Sequence, residues 1–485
     1  MKIKIMPVFM PLIAAWSSTK TSSSSKSSSS PHIVELPIFR LNNGFVAEIG
    51  VGTPPQKMNL TIDTGSSFTW IRIPGDEVLG HTGNGTAALF AEHESFSQIF
   101  DPSASSSFKS QTEKQPFTAV RNQHYVQGYQ GSESMIVNNV TVPKLQITMV
   151  QNSTMDVNGV LGIGFSSEVP GQSKKGKKSA KTNTLLDRMA KEGKIRHKAY
   201  SLHLDGGDAE TGSIMLGGRD TDKFVGLMKE LPIAPHRDFE GRKSYQSMQI
   251  MMTGLDLGKR SLAFNHAAIL DPSTRISYLP KGVFEPVIEF LQNSRLNGSQ
   301  DAIIKSEQEG QMVQFVDCTI QETLFKKSVT FGFGGLEGAK IEIPIRSLIR
   351  KVPGCKEGNT NSTSGKDVAP LMDEHCACYL AIQQYPATGS FNSTEIMVLG
   401  DAILRHASIV YDLQNNNIGM AQRNFNSNKS NIVEFGKKMK SIPGTQQMKE
   451  QKGSAAARFG VLGPVDPVMA FWTLMVLFGG MVAFA

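Results

Sequence analysis

The sequence predicts an all-β protein built from two similar halves with a cleft between them. Strand-like runs and turn signals alternate at short intervals from His32 to Phe165, which is the rhythm of turn-rich β proteins. The 45 glycines and 3 tryptophans favour such a fold over a helical bundle. An apolar strand followed by an aspartate occurs once in each half, at Asp63 and Asp271. This repetition predicts a duplicated β-domain in which each lobe contributes one carboxylate.

Length and charge narrow the class of protein. The 485 residues are enough for a large core, in two domains or one bilobal unit. Charged residues make up 19% and hydrophobic residues 39%, so most of the chain is globular. The net charge of +7 is scattered except for a basic cluster at 174–178. No aromatic residues interleave with that cluster, so we expect a solvated loop and no nucleic-acid partner.

The first residues predict secretion. Lys2 and Lys4 precede an apolar run that ends near Trp16 and is followed by small residues, which is typical of a signal peptide at 1–17. The Ser-rich residues that follow, 18–36, cannot bury apolar surface and predict a flexible leader.

The C-terminal residues predict attachment to a membrane. Residues 468–485 carry no charge, and their number is close to the roughly 20 residues that span a bilayer. Gly453 and Ser454 lie in a polar linker, 426–466, ahead of the hydrophobic tail 467–485, as in a signal for a glycosylphosphatidylinositol (GPI) lipid anchor. A plain membrane anchor is the alternative. Either one predicts a location at the cell surface, on the plasma membrane or in the cell wall.

The glycosylation pattern N-x-Ser/Thr agrees with secretion. One match is a weak signal, but repeated matches in a secreted chain predict some surface glycosylation. The candidate sites are Asn84, Asn139, Asn152, Asn297, Asn361 and Asn392, and the pattern also occurs at Asn59 and Asn428.

The four cysteines all lie in the second half and allow three pairings. In an oxidising compartment disulfides are favoured over a metal site, and Cys-Ala-Cys lacks the spacing of zinc ligands. We expect Cys318–Cys378 and Cys355–Cys376, since adjacent strands can hold the outer pair while the inner pair closes the loop between them. We expect no metal.

Other patterns place elements along the chain. The apolar run 159–165 is broken by three glycines, which predicts a buried strand against which other backbone packs closely. Val398-Leu399-Gly400 repeats Val160-Leu161-Gly162, so each half has an aspartate turn and later an apolar strand ending in glycine. Apolar spacing predicts helices at 185–193 and 282–291 and strands at 199–204 and 213–217.

The segment Asp63-Thr64-Gly65-Ser66 predicts a carboxylate held at the mouth of a tight turn. Gly65 lets the backbone approach the carboxylate, and nearby hydroxyl and N–H groups can bind its oxygens. Taken alone, the segment is more typical of an ordinary turn with a solvated aspartate. The second aspartate turn and the repeated strands favour a pair of catalytic carboxylates.

Six blocks of sequence carry a family resemblance, from about residue 45 to residue 422. The blocks are FVAEIGVGTPPQ at 45–56, 62–70, 158–165, GSIMLGGRDT at 212–221, 268–280 and 398–422. Together they closely resemble the pepsin-like aspartic endopeptidases, and specifically the fungal, yapsin-like, surface-anchored branch. The resemblance implies two orthogonally packed β-barrel lobes, 37–225 and 226–425, that flank a long cleft.

The resemblance implies that Asp63 and Asp271 are the catalytic pair. Two carboxylates that share a water hold one proton between them, so one acts as base and the other as acid on a polypeptide substrate. No cofactor is implied, and we expect a monomer. Thr64, Gly65, Ser66, Gly128 and Thr274 are the implied substrate-binding positions.

The resemblance also implies that Tyr125 is the tyrosine of a flap that closes over substrate, although an ordinary strand tyrosine is the alternative. Glu133 replaces a small residue later in that hairpin, so the flap tip is expected to differ. Trp70 matches a tryptophan of the cleft wall, and a core role would give the same sequence signal.

The second aspartate loop departs from the family pattern. Asp271 is followed by Pro272, which has neither a hydroxyl nor a backbone N–H to brace the opposite loop. Ser273 keeps an N–H but adds a Cβ to a crowded turn, Thr274 is expected to bind the outer oxygen of Asp271, and Arg275 would favour ionisation of both acids. The alternative function is therefore a weakened or inactive protein that binds peptides, and a structural wall glycoprotein is a third hypothesis.

Overall fold

The computed structural model of the chain describes residues 32–41, 44–78, 98–110, 117–121, 124–153, 155, 157–166, 182–206, 209–237, 243–293, 303–308, 311–316, 318, 326–351, 378–384 and 396–448. The predicted signal peptide, most of the Ser-rich leader and the hydrophobic tail lie outside these residues. Among the helices in the described ranges, none combines the length and apolar character needed to cross a bilayer.

The first half is built almost entirely from β-strands. Its strands are β1 (Val34–Leu41), β2 (Gly44–Val51), β3 (Gln56–Asp63), β4 (Trp70–Val78), β5 (Lys109–Ser110), β6 (Phe117–Arg121), β7 (His124–Val137), β8 (Val140–Ser153), β9 (Gly159–Gly162), β10 (Ala199–Leu204), β11 (Thr211–Leu216) and β12 (Gly218–Asp220). Its helical segments are the 3₁₀ turns Pro102–Ala104 and Thr221–Lys223 and the helix α1 (Leu185–Lys191).

The second half repeats this character. Its strands are β13 (Phe224–Pro232), β14 (His236–Arg237), β15 (Lys243–Ser244), β16 (Gln249–Leu257), β17 (Arg260–Leu270), β18 (Ser277–Leu279), β19 (Ile303–Gln308), β20 (Gln311–Val316), β21 (Ser328–Phe333), β22 (Ala339–Pro344), β23 (Ile349–Lys351), β24 (Cys378–Leu380), β25 (Ile382–Gln384), β26 (Ile396–Leu399), β27 (Ala407–Asp412), β28 (Asn417–Arg423), β29 (Ile432–Glu434) and β30 (Gln446–Gln447). Its helical segments are α2 (Lys281–Asn293), α3 (Asp401–Leu404) and the 3₁₀ turn Ile345–Leu348.

A central sheet joins the two halves. Its strand order is β13-β28-β27-β10-β11-β1, with three strands from each half, and β10 pairs antiparallel with β27 so that Tyr200 lies opposite Tyr411. The same sheet continues through β2 and β3 into the first lobe, while β16–β18, β21, β22, β25 and β26 form a separate seven-stranded sheet in the second lobe. The all-β, bilobal prediction is confirmed.

The core follows from the strand pattern. In β1 buried and exposed residues alternate, which points Val34, Leu36 and Ile38 inward because successive strand residues face opposite sides. Full burial of each such side chain stabilises the fold by about 1.5–3 kcal/mol. Strands β9 and β27 are buried along their whole length, as expected where both faces of a strand are covered.

Helix α1 confirms the helix predicted at 185–193. Thr184 caps its first turn, because its hydroxyl accepts the Asp187 N–H at 3.2 Å while the Asp187 carboxylate accepts the Thr184 N–H at 3.3 Å. The chain leaves the helix through Gly193, whose φ of +68° lies in the left-handed region that glycine adopts without strain. The second predicted helix is α2, two residues longer at its C-terminal end and one at its N-terminal end.

One of the two expected disulfides lies within the described residues. Cys318 and Cys378 are bonded, with their Cα atoms 5.2 Å apart, and this pairing is confirmed. Cys378 begins β24, which pairs with β20, so the bond joins the end of one strand to its neighbour as expected. Cys355–Cys376 lies outside the described residues.

Residues 424–448 form what we call the C-terminal strap. The sequence predicts a polar linker from residue 426, but β29 pairs with β12 and β30 pairs in parallel with β13. Phe435 and Ile442 are buried and pack with Ala199, Met228 and Val410 on one face of the central sheet. Tyr200 and Tyr411, the sequence neighbours of Ala199 and Val410, belong to the main core on the opposite face. The strap therefore covers the back of the sheet that joins the halves.

Candidate active site

The first aspartate lies where two parallel strands meet. Asp63 ends β3, which pairs with β9 so that Asp63 lies opposite Gly162. The Gly65 N–H donates to Oδ1 of Asp63 at 2.8 Å, and the carboxylate is only 3% exposed. A Cβ on Gly162 would lie 2.5 Å from the Phe68 carbonyl oxygen, so glycine is required for the turn to pass this close.

The second aspartate repeats this arrangement. Strand β17 ends just before Asp271 and runs parallel to β26, with Leu270 opposite Leu399. The Ser273 N–H donates to Oδ1 of Asp271 at 3.0 Å, as the Gly65 N–H does in the first half. A Cβ on Gly400 would lie 2.6 Å from the Thr274 carbonyl oxygen. The predicted repeat of an aspartate turn and an apolar strand ending in glycine thus builds two matching carboxylate sites.

Two hydroxyls cross between these loops. The Thr64 hydroxyl donates to the carbonyl oxygen of Leu270 at 3.4 Å, and the Ser273 hydroxyl donates to the carbonyl oxygen of Ile62 at 2.8 Å. The backbone at Ser273 is outside the left-handed region, so a side chain causes no backbone strain there. The sequence predicts a brace from Thr64 only, whereas the structure has one from each loop.

The next hydroxyls in the two loops bind locally. Ser66 donates to the Phe68 carbonyl oxygen at 3.2 Å, and Thr274 donates to the Ile276 carbonyl oxygen at 2.9 Å. The prediction that the Thr274 hydroxyl binds Asp271 is therefore wrong, because the turn presents a nearer backbone acceptor two residues on. Both residues shape the loops around the carboxylates.

The environment of Asp271 favours its protonated form. Burial raises the pKa of this carboxyl, and the neighbouring charge of Asp63 raises it further, to about 8. The Ser273 N–H and the Arg40 guanidinium oppose this rise and do not cancel it. Oδ2 of Asp271 is buried and has no hydrogen-bond partner within the described residues. The pair therefore holds a proton on one carboxyl at mildly acidic and neutral pH.

A pair of stacked tyrosines lies beside the carboxylates. The rings of Tyr200 and Tyr411 are 4.8 Å apart between centroids and 21° from parallel. Burial raises the pKa of both hydroxyls, with a further contribution from Asp63 at Tyr200 and from Asp271 at Tyr411. These neutral rings add to the low-dielectric surroundings in which the carboxylates share a proton. Sequence analysis missed them, although each half places a tyrosine in an apolar strand.

A buried ionic network lies next to the second loop. Asp401 accepts hydrogen bonds from Arg40 at 2.6 Å and from Arg405 at 2.9 Å. Oε2 of Glu210 lies 2.5 Å from Nε of Arg40. Burial raises the pKa of Asp401, but the arginines outweigh it and hold this pKa at about 2. In the sequence, Asp401 stands out because it is a charged residue directly after Gly400, whereas the residue directly after Gly162 in the first half is apolar.

Arg275 belongs to the same network. Its guanidinium lies 3.2 Å from Glu210, and its side chain is mostly buried. The expectation that this cation would ionise both aspartates does not hold, because Arg275 is paired with a carboxylate and the pKa of Asp271 stays raised. The positive charge of Arg275 is thus balanced by Glu210, which comes from another part of the chain.

The predicted flap is a hairpin of β6 and β7. Tyr125 lies on β7 and pairs with Val120 of β6. Gly128 has a packing reason to be glycine, since a Cβ there would overlap the Met149 carbonyl oxygen of β8. Glu133, the tenth residue of β7, is buried and accepts hydrogen bonds from the hydroxyl groups of Ser105 at 2.7 Å and of Ser107, so these serines position its side chain within the lobe.

Trp70 is a core residue. Its side chain is 1% exposed and packs with a cluster that includes Phe68, Val126 and Val160. Of the two readings that the sequence allowed, the structure agrees with the core role. Trp70 fixes the start of β4 behind the first aspartate loop and presents almost no surface to a ligand.

The remaining predicted sites fall into two groups. Asn139 is exposed in the turn between β7 and β8, and Asn152 is partly exposed on β8. Within the described ranges there is no group of three or more His, Cys, Asp or Glu residues placed to hold a metal ion. The predicted sites outside the described residues are Asn84, Asn297, Asn361, Asn392, Gly453 and Ser454.

Comparisons with known proteins give one family. A sequence model of the family described as Eukaryotic aspartyl protease matches residues 44–423. The probable aspartic-type endopeptidase opsB of Aspergillus oryzae (strain ATCC 42149 / RIB 40) is 29% identical over 421 residues, which are 85% of this chain and 75% of that protein. Candidapepsin-3 of Candida albicans (strain WO-1) is 28% identical over 390 residues, 80% of this chain and 82% of that protein.

Two further comparisons agree. Aspartic proteinase yapsin-3 of Saccharomyces cerevisiae (strain ATCC 204508 / S288c) is 28% identical over 397 residues, 80% of this chain and 68% of that protein. The crystal structure of the aspartic proteinase from Irpex lacteus superposes with a TM-score of 0.56 at 17% identity, covering 82% of this chain and 100% of that chain, which shows the shared fold. Since the family match spans most of its length and both aspartate loops, the chain belongs to the eukaryotic aspartyl protease family.

Proposed function

We propose that Asp63 and Asp271 are the catalytic pair through which this aspartic endopeptidase cleaves extended polypeptides. The observation that carries the proposal is the matched pair of buried carboxylates, each at the end of a parallel strand and each held by an N–H two residues on. The raised pKa of Asp271 gives the pair one acid and one base at the same pH.

The chemistry follows from that difference. Ionised Asp63 takes a proton from water as the water oxygen bonds to the scissile carbonyl carbon, while protonated Asp271 donates to the carbonyl oxygen. The tetrahedral intermediate then breaks its C–N bond, and the proton held by Asp63 passes to the leaving nitrogen. Asp271 recovers its proton from the hydroxyl of the intermediate as the carbonyl reforms. Water is thereby added across the peptide bond, and both carboxyls return to their first state.

We also propose that the protein acts outside the cell, attached at its surface by a GPI anchor at Gly453 or Ser454. The N-terminal signal pattern and the C-terminal hydrophobic tail support this location. A relative from Candida albicans that is named secreted aspartic protease 3 fits a secreted protein. We expect the lobes at 37–225 and 226–425 to work as one monomer.

The alternative of a non-enzymatic peptide-binding protein loses its main support. It was based on the altered loop after Asp271, where Pro272 cannot brace the opposite strand. The Ser273 hydroxyl supplies a brace to Ile62, and Arg275 is paired with Glu210. The comparisons do not favour this alternative, since the relatives are named as endopeptidases.

An activity assay tests the proposed function. The secreted protein is incubated with unstructured polypeptides between pH 3 and pH 8, with and without the aspartic protease inhibitor pepstatin. We expect cleavage that pepstatin blocks and that Asp63→Asn and Asp271→Asn each abolish. Asp256→Asn, on β16, is the matched control and should cleave normally. Cleavage that persists in both Asp63→Asn and Asp271→Asn would show that other residues carry out the reaction.

A further inference from the structure

We propose that Ser273 is a positioning residue that takes over, one place further along the loop, the hydroxyl function that Pro272 cannot perform. The inference rests on the proposed role of Asp63 and Asp271 as the catalytic pair. It concerns how the two carboxylates are held at a fixed position relative to each other. Neither strand pairing nor the local turns achieve this alone.

The two crossing hydroxyl bonds are reciprocal. Thr64 binds the carbonyl of Leu270, the residue immediately before Asp271, and Ser273 binds the carbonyl of Ile62, the residue immediately before Asp63. Each loop is thus hydrogen-bonded to the residue that immediately precedes the aspartate of the other loop. The donors are not at equivalent positions, since Thr64 is one residue after its aspartate and Ser273 is two residues after its own.

Ser273 connects the carboxylate of Asp271 to the backbone immediately before Asp63. Its backbone N–H donates to Asp271 at 3.0 Å, and its hydroxyl donates to Ile62 at 2.8 Å. Ser273 is only 2% exposed, so water does not compete for either bond. A shift of the second loop relative to the first would have to break one of these bonds.

The other hydroxyls of the site do not offer a replacement. The Thr64 bond is 3.4 Å long, at the limit of a hydrogen bond and weaker than the 2.8 Å bond from Ser273. The Thr274 hydroxyl is already committed to Ile276 within its own turn. Of the crossing bonds in the described part of the molecule, the one from Ser273 is therefore the stronger restraint on the pair.

The first test removes only the hydroxyl. In Ser273→Ala the N–H to Asp271 remains, and we expect kcat to fall about 10- to 100-fold with KM changed less than about threefold, since a displacement of about 1 Å can cost a hundredfold in rate. The upper limb of the pH–rate profile should also move to lower pH, because carboxylates that drift apart interact less. A residue that only stabilised the fold would leave this limb in place.

Two double variants provide the matched control. Pro272→Thr with Ser273→Gly moves the hydroxyl to the first position after Asp271, and we expect activity within about threefold of the wild type. Pro272→Val with Ser273→Gly has nearly the same shape without the hydroxyl and should be as impaired as Ser273→Ala. Equal activity of the two doubles, or Ser273→Ala activity within twofold of the wild type, would overturn the inference.

Pepstatin affinity separates this inference from the proposed function. Binding of the inhibitor is measured by calorimetry on the wild type and the three variants, which requires no turnover. We expect at least a tenfold loss of affinity in Ser273→Ala and in the Val/Gly double, and recovery in the Thr/Gly double. If the four proteins bind pepstatin in this order of affinity but the wild type cleaves nothing, the proposed function is rejected and the positioning role of Ser273 is kept. A wild type that neither cleaves nor binds rejects both.

Discussion

Tyr200 of the first half stacks on Tyr411 of the second half, 4.8 Å apart between ring centroids, at the strand pair that joins the lobes. Both side chains are fully buried, and within the described residues neither hydroxyl has a hydrogen-bond partner. The stack therefore gains from ring packing while each hydroxyl pays a desolvation cost.

Removal of one of these hydroxyls should stabilise the protein. We expect Tyr411→Phe to raise the free energy of unfolding by about 1 kcal/mol, because an unsatisfied buried hydroxyl is lost and the ring is kept. Tyr411→Ala should lower it by about 3–5 kcal/mol through the cavity it leaves. Urea unfolding measures both, with the half-buried Tyr245 changed to Phe as a near-neutral control. A destabilised Tyr411→Phe would mean that the hydroxyl has a bonding role.

The pH dependence of cleavage should show a limb at high pH. The pKa of Asp271 is raised in the folded protein, to about 8, so this carboxyl keeps its proton at pH values where an exposed one has lost it. The acid form needed for catalysis is therefore present below this pKa and lost as pH rises through it. We expect kcat/KM on a peptide without titratable groups to fall about tenfold per pH unit above the limb. A limb near pH 4 with the fold intact would contradict this reading of the pair.

Neutralising Asp401 should be costly. Asp401→Asn keeps the shape but leaves the buried guanidinium groups of Arg40 and Arg405 without their shared anion. We expect a loss of about 3–5 kcal/mol in the free energy of unfolding. The control is Glu48→Gln, which removes the exposed pair with Lys57 and should cost about 0–1 kcal/mol. Similar losses for the two variants would show that burial of the network does not matter.

The C-terminal strap should be part of the folded domain. We expect Phe435→Ala to lower the free energy of unfolding by about 3–5 kcal/mol, since this ring is fully buried against the central sheet. Phe425→Ala, in the same strap but 43% exposed, is the control and should cost much less. Guanidinium unfolding followed by tryptophan fluorescence compares the two. Equal and small effects would mean that the strap detaches without disturbing the rest.

The sequence predicts those features that depend on local pattern. Asp63 with its turn and the strand ending at Gly162 are both visible as short motifs, and so are their counterparts at Asp271 and Gly400. The helix after Thr184 is equally local, because its cap and its apolar face lie within one short segment. The proposed catalytic pair is therefore visible in the sequence as two local motifs.

The features that sequence analysis missed depend on contacts between distant residues. Ser273 and Ile62 are 211 positions apart, so the loss of a hydroxyl at Pro272 is visible in the sequence and its replacement is not. Arg275 looked like an isolated cation because Glu210 lies 65 positions away. In the strap, Phe435 and Ile442 lie in a segment rich in polar residues, and only the sheet beneath them shows that they are buried.

The position of the strap also bears on the proposed attachment of the enzyme at the cell surface. The last described residue is Met448, whose N–H donates to the Glu230 carbonyl oxygen on β13 of the central sheet. The strap packs on the face of that sheet opposite the stacked tyrosines. The GPI anchor proposed at Gly453 or Ser454 would follow from this point, so we expect the tether to attach on the strap side of the central sheet. A change in tether length would then alter the reach of the enzyme and leave its active-site geometry unchanged.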